Sequence, residues 1–250
     1  MDHPRTPSPA PTPPFTLDST PTGTSSRPAK PGRVVYVPLL GAAVAAYWFI
    51  GRPWHFQWGA TPAEVARRWP GDELVPPPRT RAVRAVTITA PPDRIWPWIM
   101  QVGRDRGGFY SYTWLENLIG ADIRNVYRLI PGLRERQVGD TVWMGPEDRF
   151  GGQARMVVAQ VHPERSVVLV MPADAQRVLT ESRAREGVWS FILEPMAENT
   201  TRLVMLSLGA EAPSPSRRLA DVLFWEPAHF VMERRMMLTI KRLAEHTPAP

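Results

Sequence analysis

A series of strand patterns followed by one long helical pattern occupies the last two thirds of the sequence. Alternating apolar and polar residues predict strands over about 81–89, 140–144, 153–162, 166–171, 186–195 and 201–209. Two short helices are predicted after the first strand, over about 92–100 and 113–119. The pattern from Ser214 to about His246 is helical, with an interruption or a new start at Pro227. A sheet curved around one long helix buries the apolar faces of both, so the sequence predicts an α+β fold in which a curved antiparallel sheet wraps around a C-terminal helix.

The N-terminal part of the chain has a different composition, and many of the 29 prolines lie there. Residues 1–33 are mostly Pro, Ser and Thr, and such a segment buries too little apolar surface to offset its ordering entropy, which predicts a disordered tail. Residues 51–79 are predicted to form a connector. In it, Thr61, Pro62 and Glu64 have the capping-box pattern of a short helix over 62–69, and Pro76–Pro78 predicts a stiff spacer. The folded domain is therefore predicted to cover residues 80–247.

An uncharged apolar run, Val34–Ile50, lies between the tail and the connector. Its length is close to the lower limit of the roughly 17–25 residues that span a bilayer, and Tyr36, Tyr47 and Trp48 lie where interfacial aromatic residues are common. The run predicts a single transmembrane or membrane-associated helix. The side of the membrane that the domain occupies is undetermined, because basic residues flank both ends. The alternative is a helix packed on the domain of a cytoplasmic protein.

Composition excludes several kinds of chemistry. The chain has no cysteine, so disulfides, thiol nucleophiles and cysteine-ligated metals are absent. The net charge of +6 comes almost entirely from arginines that are spread along the chain near acidic residues, whereas a nucleic-acid binder concentrates such charge on one face. The five histidines are dispersed, and no phosphate-binding loop, dinucleotide-binding glycine pattern or serine nucleophile elbow occurs. We therefore predict no nucleic-acid partner, no metal and no cofactor.

Glu233 is the most unusual residue of the last helix. At about 100° per residue, one arc of that helix carries Phe230, Met232, Met236, Met237, Ile240, Leu243 and Ala244. Glu233 lies in the middle of this apolar arc, where a carboxylate is costly unless it is paired or protonated. Two interpretations stay open: Glu233 faces a ligand, as a binding group or as an acid/base with a raised pKa, or it forms a structural ion pair. Candidate partners of Glu233 in such an ion pair are arginines such as Arg104, Arg106 and Arg124.

Aromatic and methionine side chains supply further candidates for a ligand site. Tyr110, Tyr112 and Trp114 have the amphipathic character of residues at the mouth of an apolar pocket, but they could equally fasten the short helices to the sheet. Methionines on the last helix suit an adaptable ligand site and are also ordinary core residues. No catalytic residue is assigned. The candidate ligand-binding residues are Tyr110, Tyr112, Trp114, Trp189, Phe230, Glu233, Met236 and Met237.

Five segments, in order, resemble the START/polyketide cyclase-dehydrase (SRPBCC) superfamily. They are VRAVTITAPPDRIWPWIMQVG at 83–103, GRDRGGFYSYTWLENLIG at 103–120, VGDTV at 138–142, WSFILEP at 189–195 and FVMERRMMLTIKRLAE at 230–245. The last four of these segments are similar to an uncharacterised bacterial subgroup. Together with the apolar run, this resemblance implies a membrane-anchored member of that subgroup. The resemblance covers about residues 81–246 and implies the helix-grip fold. That superfamily includes lipid carriers, receptors and cyclases, so the fold by itself names no activity.

Three functions are compatible with these observations. The first is binding of a small hydrophobic ligand, such as a lipid, an isoprenoid or a polyketide, in the cavity of a membrane-tethered helix-grip domain. The second is a cyclase or dehydratase that uses Glu233 and a pocket tyrosine, Tyr110 or Tyr112, to move protons. The third is an interaction module with a filled interior, which predicts no internal cavity of at least roughly 300 Å³. The ligand and the oligomeric state are not indicated by the sequence.

Overall fold

A computed structural model describes residues 39, 41, 42, 44–209 and 214–246, without the side chain of Arg217. The chain divides into two compact units, 1–44 and 45–250. Only four residues of the first unit are described, so the architecture below is that of the second. The predicted tail over 1–33 lies outside the described residues.

One antiparallel sheet of six strands organises the second unit, in the order β1-β6-β5-β4-β3-β2. Its strands are β1 (Thr80–Ile88), β2 (Thr141–Trp143), β3 (Arg155–His162), β4 (Ser166–Val170), β5 (Gly187–Ala197) and β6 (Thr200–Gly209). The three longest strands, β1, β5 and β6, are adjacent, and β6 pairs along its length with both neighbours. This confirms the antiparallel sheet predicted from the alternating patterns.

Eight α-helices are described around the sheet. They are α1 (Arg52–Phe56), α2 (Pro62–Ala66), α3 (Pro92–Met100), α4 (Thr113–Leu118), α5 (Glu147–Phe150), α6 (Pro172–Glu181), α7 (Pro215–Ala220) and α8 (Glu226–His246). Two π-helical turns, Tyr47–Gly51 and Asp221–Trp225, lead directly into α1 and α8. The long helix α8 packs against β1 and α3, which confirms the predicted helix-grip arrangement.

Alternation along the strands gives the sheet two buried faces. On β1, Ile88 belongs to an inner core that also contains Trp98, Phe191 and Met237. Val83 and Ala85, whose side chains point to the opposite face of the same strand, belong instead to an outer core. Because successive strand residues point to opposite faces, one strand supplies both cores.

The outer core is covered by the segment before β1. Trp69, Leu74 and Val75 are buried there against the strands. The capping box is present as predicted, with Thr61 Oγ1 accepting from the Glu64 amide and the Glu64 carboxylate accepting from the Thr61 amide. Helix α2 ends at Ala66 rather than at 69, because the buried Trp69 turns back to donate its indole N–H to the Glu64 carbonyl at 2.8 Å.

Helix α6 was not predicted from the sequence. It begins after Met171 and is held by Asp174, a fully buried carboxylate. Asp174 accepts hydrogen bonds from the amides of Arg185 and Glu186, both at 2.8 Å, and from the Arg177 guanidinium. These contacts close the loop between β4 and β5 over the outer face.

Among the described residues, no helix is both long enough and apolar enough to cross a membrane. Seven residues of the apolar run Val34–Ile50, at positions 34–38, 40 and 43, lie outside the described residues, so the membrane anchor stays a prediction.

Candidate functional site

A buried ion pair joins the last helix to the first strand. Glu233 on α8 is 1% exposed and Arg84 on β1 is 3% exposed. The Arg84 Nη1 donates to Glu233 Oε2. Two charges removed from water are tolerated only when their remaining hydrogen-bonding capacity is also used.

The surrounding residues supply those further bonds. The Trp189 indole N–H donates to Glu233 Oε1 at 2.7 Å, and the Ser207 hydroxyl donates to the same oxygen at 3.2 Å. Arg84 Nε donates to the His55 carbonyl at 2.8 Å, and its guanidinium lies 5.5 Å from the centre of the Phe230 ring. We call Arg84, Trp189, Ser207 and Glu233 the polar cluster. Both carboxylate oxygens of Glu233 are therefore occupied by protein donors.

Burial disfavours the charged form of the basic groups near this cluster. It lowers the pKa of Arg84 to about 10, which leaves the guanidinium charged at neutral pH. It also lowers the pKa of His55 to about 4, with a further contribution from the positive charge of Arg84. His55 is therefore neutral at neutral pH.

Trp189, the aromatic member of the polar cluster, packs against three further rings. Its ring is 4.7 Å from that of Phe191 and 6.4 Å from that of Phe109, measured between centroids. The ring of His229, a surface residue on α8, lies 6.2 Å from the same indole, measured between centroids. Trp189 thus contacts both the buried carboxylate of Glu233 and the ring of His229, a surface residue whose pKa is lowered to about 4 by burial of the ring and by the charge of Arg84.

The predicted residues of the 109–114 segment do not gather around Glu233. Tyr110 is fully buried, adopts φ +56°, and donates its hydroxyl to the Trp98 carbonyl at 3.2 Å. Tyr112 is half-buried, with the Arg235 guanidinium 5.4 Å from its ring centre. Trp114 is 68% exposed. Of the candidates, Trp189 and Glu233 are in direct contact, and Phe230 lies against their partner Arg84.

Asn125 holds this aromatic segment in place. Its Oδ1 accepts from the amides of Phe109 and Tyr110 at 3.0 and 2.7 Å, and its Nδ2 donates to the Ser111 carbonyl at 2.9 Å. The left-handed backbone at Tyr110 is costly for a bulky residue, so these bonds maintain an unfavourable conformation.

We expect Asn125→Ala to lower the free energy of unfolding by about 2 kcal/mol, because two buried amides lose their acceptor. Urea denaturation of the full chain measures the change. Asn117→Ala is the matched comparison and should lose less stability, since Asn117 also bonds the backbone through both its amide atoms but accepts from one amide, that of Ile123, rather than from two. Equal stability of wild type and Asn125→Ala would show that the segment is held by ring packing alone.

Glu116 is a second buried carboxyl group. It lies on α4, is buried, and its Oε2 has no hydrogen-bond partner within the described part of the chain. Burial raises its pKa to about 7, so a large fraction is protonated at neutral pH.

The methionine candidates lie in the inner core rather than along an open pocket. Met236 and Met237 are buried with Trp189 and Phe191. A cavity of about 10 Å³ lies in this interior, lined by residues that include Ile99, Arg136 and Phe191. That volume is close to the space of one water molecule and far below that of a small-molecule site.

A wider groove, of about 500 Å³, lies in the segment that covers the outer core. Residues 66–68, 75–78, Asp72 and Arg81 line it. Arg81 is already bonded to Asp72 and to the carbonyls of Val65 and Arg67. Two of the polar side chains of this groove, Asp72 and Arg81, are therefore committed to contacts within the chain.

Sequence reasoning did not identify the partner of Glu233. Arg104 instead pairs with Asp122 at 2.7 Å, and Arg106 donates to the carbonyls of Met100 and Glu135. Arg84 could have been predicted from the alternation of side chains along β1, because it shares the inner face of that strand with Val86 and Ile88. The roles of His55 and Ser207 had no comparable local signal.

Comparison with known proteins gives structural likenesses only. No protein-family model matches the chain, and no curated protein matches it. A Polyketide_cyc-like protein from Corynebacterium glutamicum has a TM-score of 0.32, with 15% identity over 66% of this chain and 91% of that one. The Aha1 dimer protein from Colwellia psychrerythraea has a TM-score of 0.36, with 17% identity over 67% of this chain and 97% of that one. A Mesorhizobium loti protein has a TM-score of 0.35, with 14% identity over 68% of this chain and 100% of that one. At these identities and scores, no property of those proteins transfers to this chain.

Proposed function

We propose that the helix-grip domain binds a small hydrophobic molecule, of the lipid, isoprenoid or polyketide type, between the sheet and α8. One observation carries the proposal: an apolar interior rich in methionine and aromatic side chains contains a compact polar cluster, whose Trp189 also packs against His229 at the surface. Apolar surroundings with a few convergent polar groups are typical of small-molecule sites. The predicted membrane anchor belongs to the same proposal, since a bilayer holds ligands of this class.

The cavity of about 10 Å³ is lined by residues of α3, β2, β4 and β5 and the loops between them, with none from α8, and it is too small for such a ligand, so the described conformation is closed to it. A ligand would have to displace side chains of α8, and Met236 and Met237 suit this because an unbranched thioether changes rotamer easily. Ligand entry then requires movement of side chains rather than of the sheet.

A second candidate is an interaction module with no ligand. The cavity of about 10 Å³ and the fully bonded Glu233 favour it, because both are expected of a filled interior. The cyclase alternative has less support. In the described residues, neither Tyr110 nor Tyr112 hydrogen-bonds Glu233, and both carboxylate oxygens are occupied.

Native mass spectrometry combined with organic extraction tests the proposal on the full chain purified from its host. We expect a reproducible hydrophobic compound with the wild type, and lower occupancy with Met236→Leu/Met237→Leu. That double variant conserves volume and costs less than about 1.5 kcal/mol per site, so it folds while its interior is stiffer. Met196→Leu, at an exposed position, is the control. An empty protein that also fails to bind oleic acid or farnesol would favour the interaction module.

A further inference from the structure

Two helical segments from opposite ends of the chain pair outside the inner core. The Tyr47 hydroxyl, in the first π-helical turn, donates to the Val222 carbonyl in the second at 2.9 Å. The Arg52 guanidinium binds both oxygens of Glu226 at 2.6 and 2.8 Å. These contacts fix the segment 47–56 beside the segment 219–226.

Both segments leave large apolar side chains in solvent. On the first, Trp48, Phe49, Ile50 and Trp54 are between 40% and 75% exposed. On the second, Leu219, Leu223, Phe224 and Trp225 are between 47% and 65% exposed. We call these eight residues the aromatic platform. Single exposed apolar residues are ordinary, but a cluster of this size on adjoining segments marks a surface that meets another apolar phase.

The chemistry of the platform favours a lipid surface over a protein partner. Three of its members are tryptophans, whose ring and indole N–H suit the boundary between acyl chains and headgroups. Arg52 on the first segment and Glu226 on the second neutralise each other through a two-bond ion pair, so neither carries an unpaired charge towards the acyl region. Arg218 is exposed on α7 beside Leu219, where a guanidinium can reach an anionic headgroup.

We propose that the aromatic platform inserts into the interfacial region of a bilayer that contains anionic lipid. Trp48, Phe49 and Ile50 of the platform are the last residues of the apolar run Val34–Ile50. The segment 219–225 is then a membrane contact additional to that run, and it is formed only when the chain folds. The proposal is independent of ligand binding in the interior, because no platform residue belongs to the polar cluster.

Single-cysteine labelling tests this directly, since the natural chain has no cysteine. Leu223→Cys places an environment-sensitive nitrobenzoxadiazole label on the platform, and Leu179→Cys places it on α6 at nearly equal exposure, 65% against 67%. The full chain is mixed with vesicles of phosphatidylcholine and phosphatidylglycerol. We expect a blue shift, loss of iodide quenching and gain of quenching by brominated lipid for the label at position 223. The label at position 179 should keep its emission and its iodide quenching.

Two results would overturn the proposal. In the first, both labels stay equally accessible to iodide in the presence of vesicles, even if the protein is vesicle-bound through Val34–Ile50. In the second, the label at position 223 shifts without vesicles and does so more strongly as protein concentration rises, which would show that a second copy of the chain covers the platform. Phosphatidylcholine vesicles alone should give a weaker shift, because they remove the attraction for Arg218.

Discussion

Glu233→Ala is expected to lower the free energy of unfolding by about 3–5 kcal/mol, because it leaves the Arg84 guanidinium buried without its counter-charge. The variant also removes the acceptor of the Trp189 indole N–H and of the Ser207 hydroxyl. Arg84 itself cannot move to solvent without giving up its bond to the His55 carbonyl. Urea denaturation of the full chain, compared with wild type under one set of conditions, measures the loss.

Two control variants separate charge from packing. Glu233→Gln keeps an acceptor for Trp189 but removes the negative charge, so its loss should be smaller than that of the alanine variant. The double variant Arg84→Met/Glu233→Met removes both charges and fills similar volume, and it should recover much of the stability. A loss below about 1 kcal/mol for Glu233→Ala would contradict the ion pair as described.

Lowering the pH from 7 to 5 is expected to decrease the free energy of unfolding by about 2 kcal/mol through His55 alone. Below pH 4 this decrease approaches about 3 kcal/mol. Burial, and then the charge of Arg84, hold its pKa in the folded protein at about 4, whereas the unfolded value is about 6.5. Between these values the unfolded chain binds the proton and the folded protein does not, so stability rises with pH across this window. Above pH 6.5 the two states are both neutral at this residue, and the effect ends.

Local geometry explains why His55 resists protonation. The Tyr47 hydroxyl donates to Val222, so it accepts from His55 Nε2, at 3.3 Å. The added proton would go to Nδ1, which has no hydrogen-bond partner in the described part of the chain. Nearby charges have opposing effects, since Arg84 and Arg52 lower the pKa and Glu226 raises it.

His55→Gln provides the comparison for the pH effect. Its free energy of unfolding should fall less between pH 7 and pH 5 than that of wild type, while carboxylates contribute equally to both. His162→Gln is the control for the same substitution at an exposed position on β3. Parallel pH profiles for wild type and His55→Gln would show that His55 titrates normally in the folded protein.

Much of the fold could be predicted because its signals are local. Alternation placed all six strands to within a few residues, and the capping box at Thr61 gave the start of α2. Helix α6 was missed because its anchor is the distant pairing of Asp174 with the amides of Arg185 and Glu186, which no periodicity reveals. The burial of Trp69 and Leu74 was also missed, since their packing surface is the outer face of strands that follow later in the chain.

The candidate site could be predicted only in part. Glu233 is visible from its place on the apolar arc of α8, and Trp189 from the alternation of β5. Their interaction depends on tertiary packing, as does the choice of Arg84 over the other arginines. Tyr110 shows the opposite case, in which a residue suited to a pocket mouth is instead buried under α3 by a left-handed backbone turn.

Methionine-methyl NMR of the full chain tests the central claim most directly, because the ten methionines report on the inner core and the surface in one spectrum. The protein is labelled with [methyl-13C]methionine, the signals are assigned by single Met→Leu variants, and oleic acid is the probe. Binding between the sheet and α8 predicts saturable shifts of the Met236 and Met237 signals, with that of the exposed Met196 unchanged. If those two signals stay fixed while oleic acid is added to saturation, the interior does not open to a hydrophobic ligand and the proposed function is wrong.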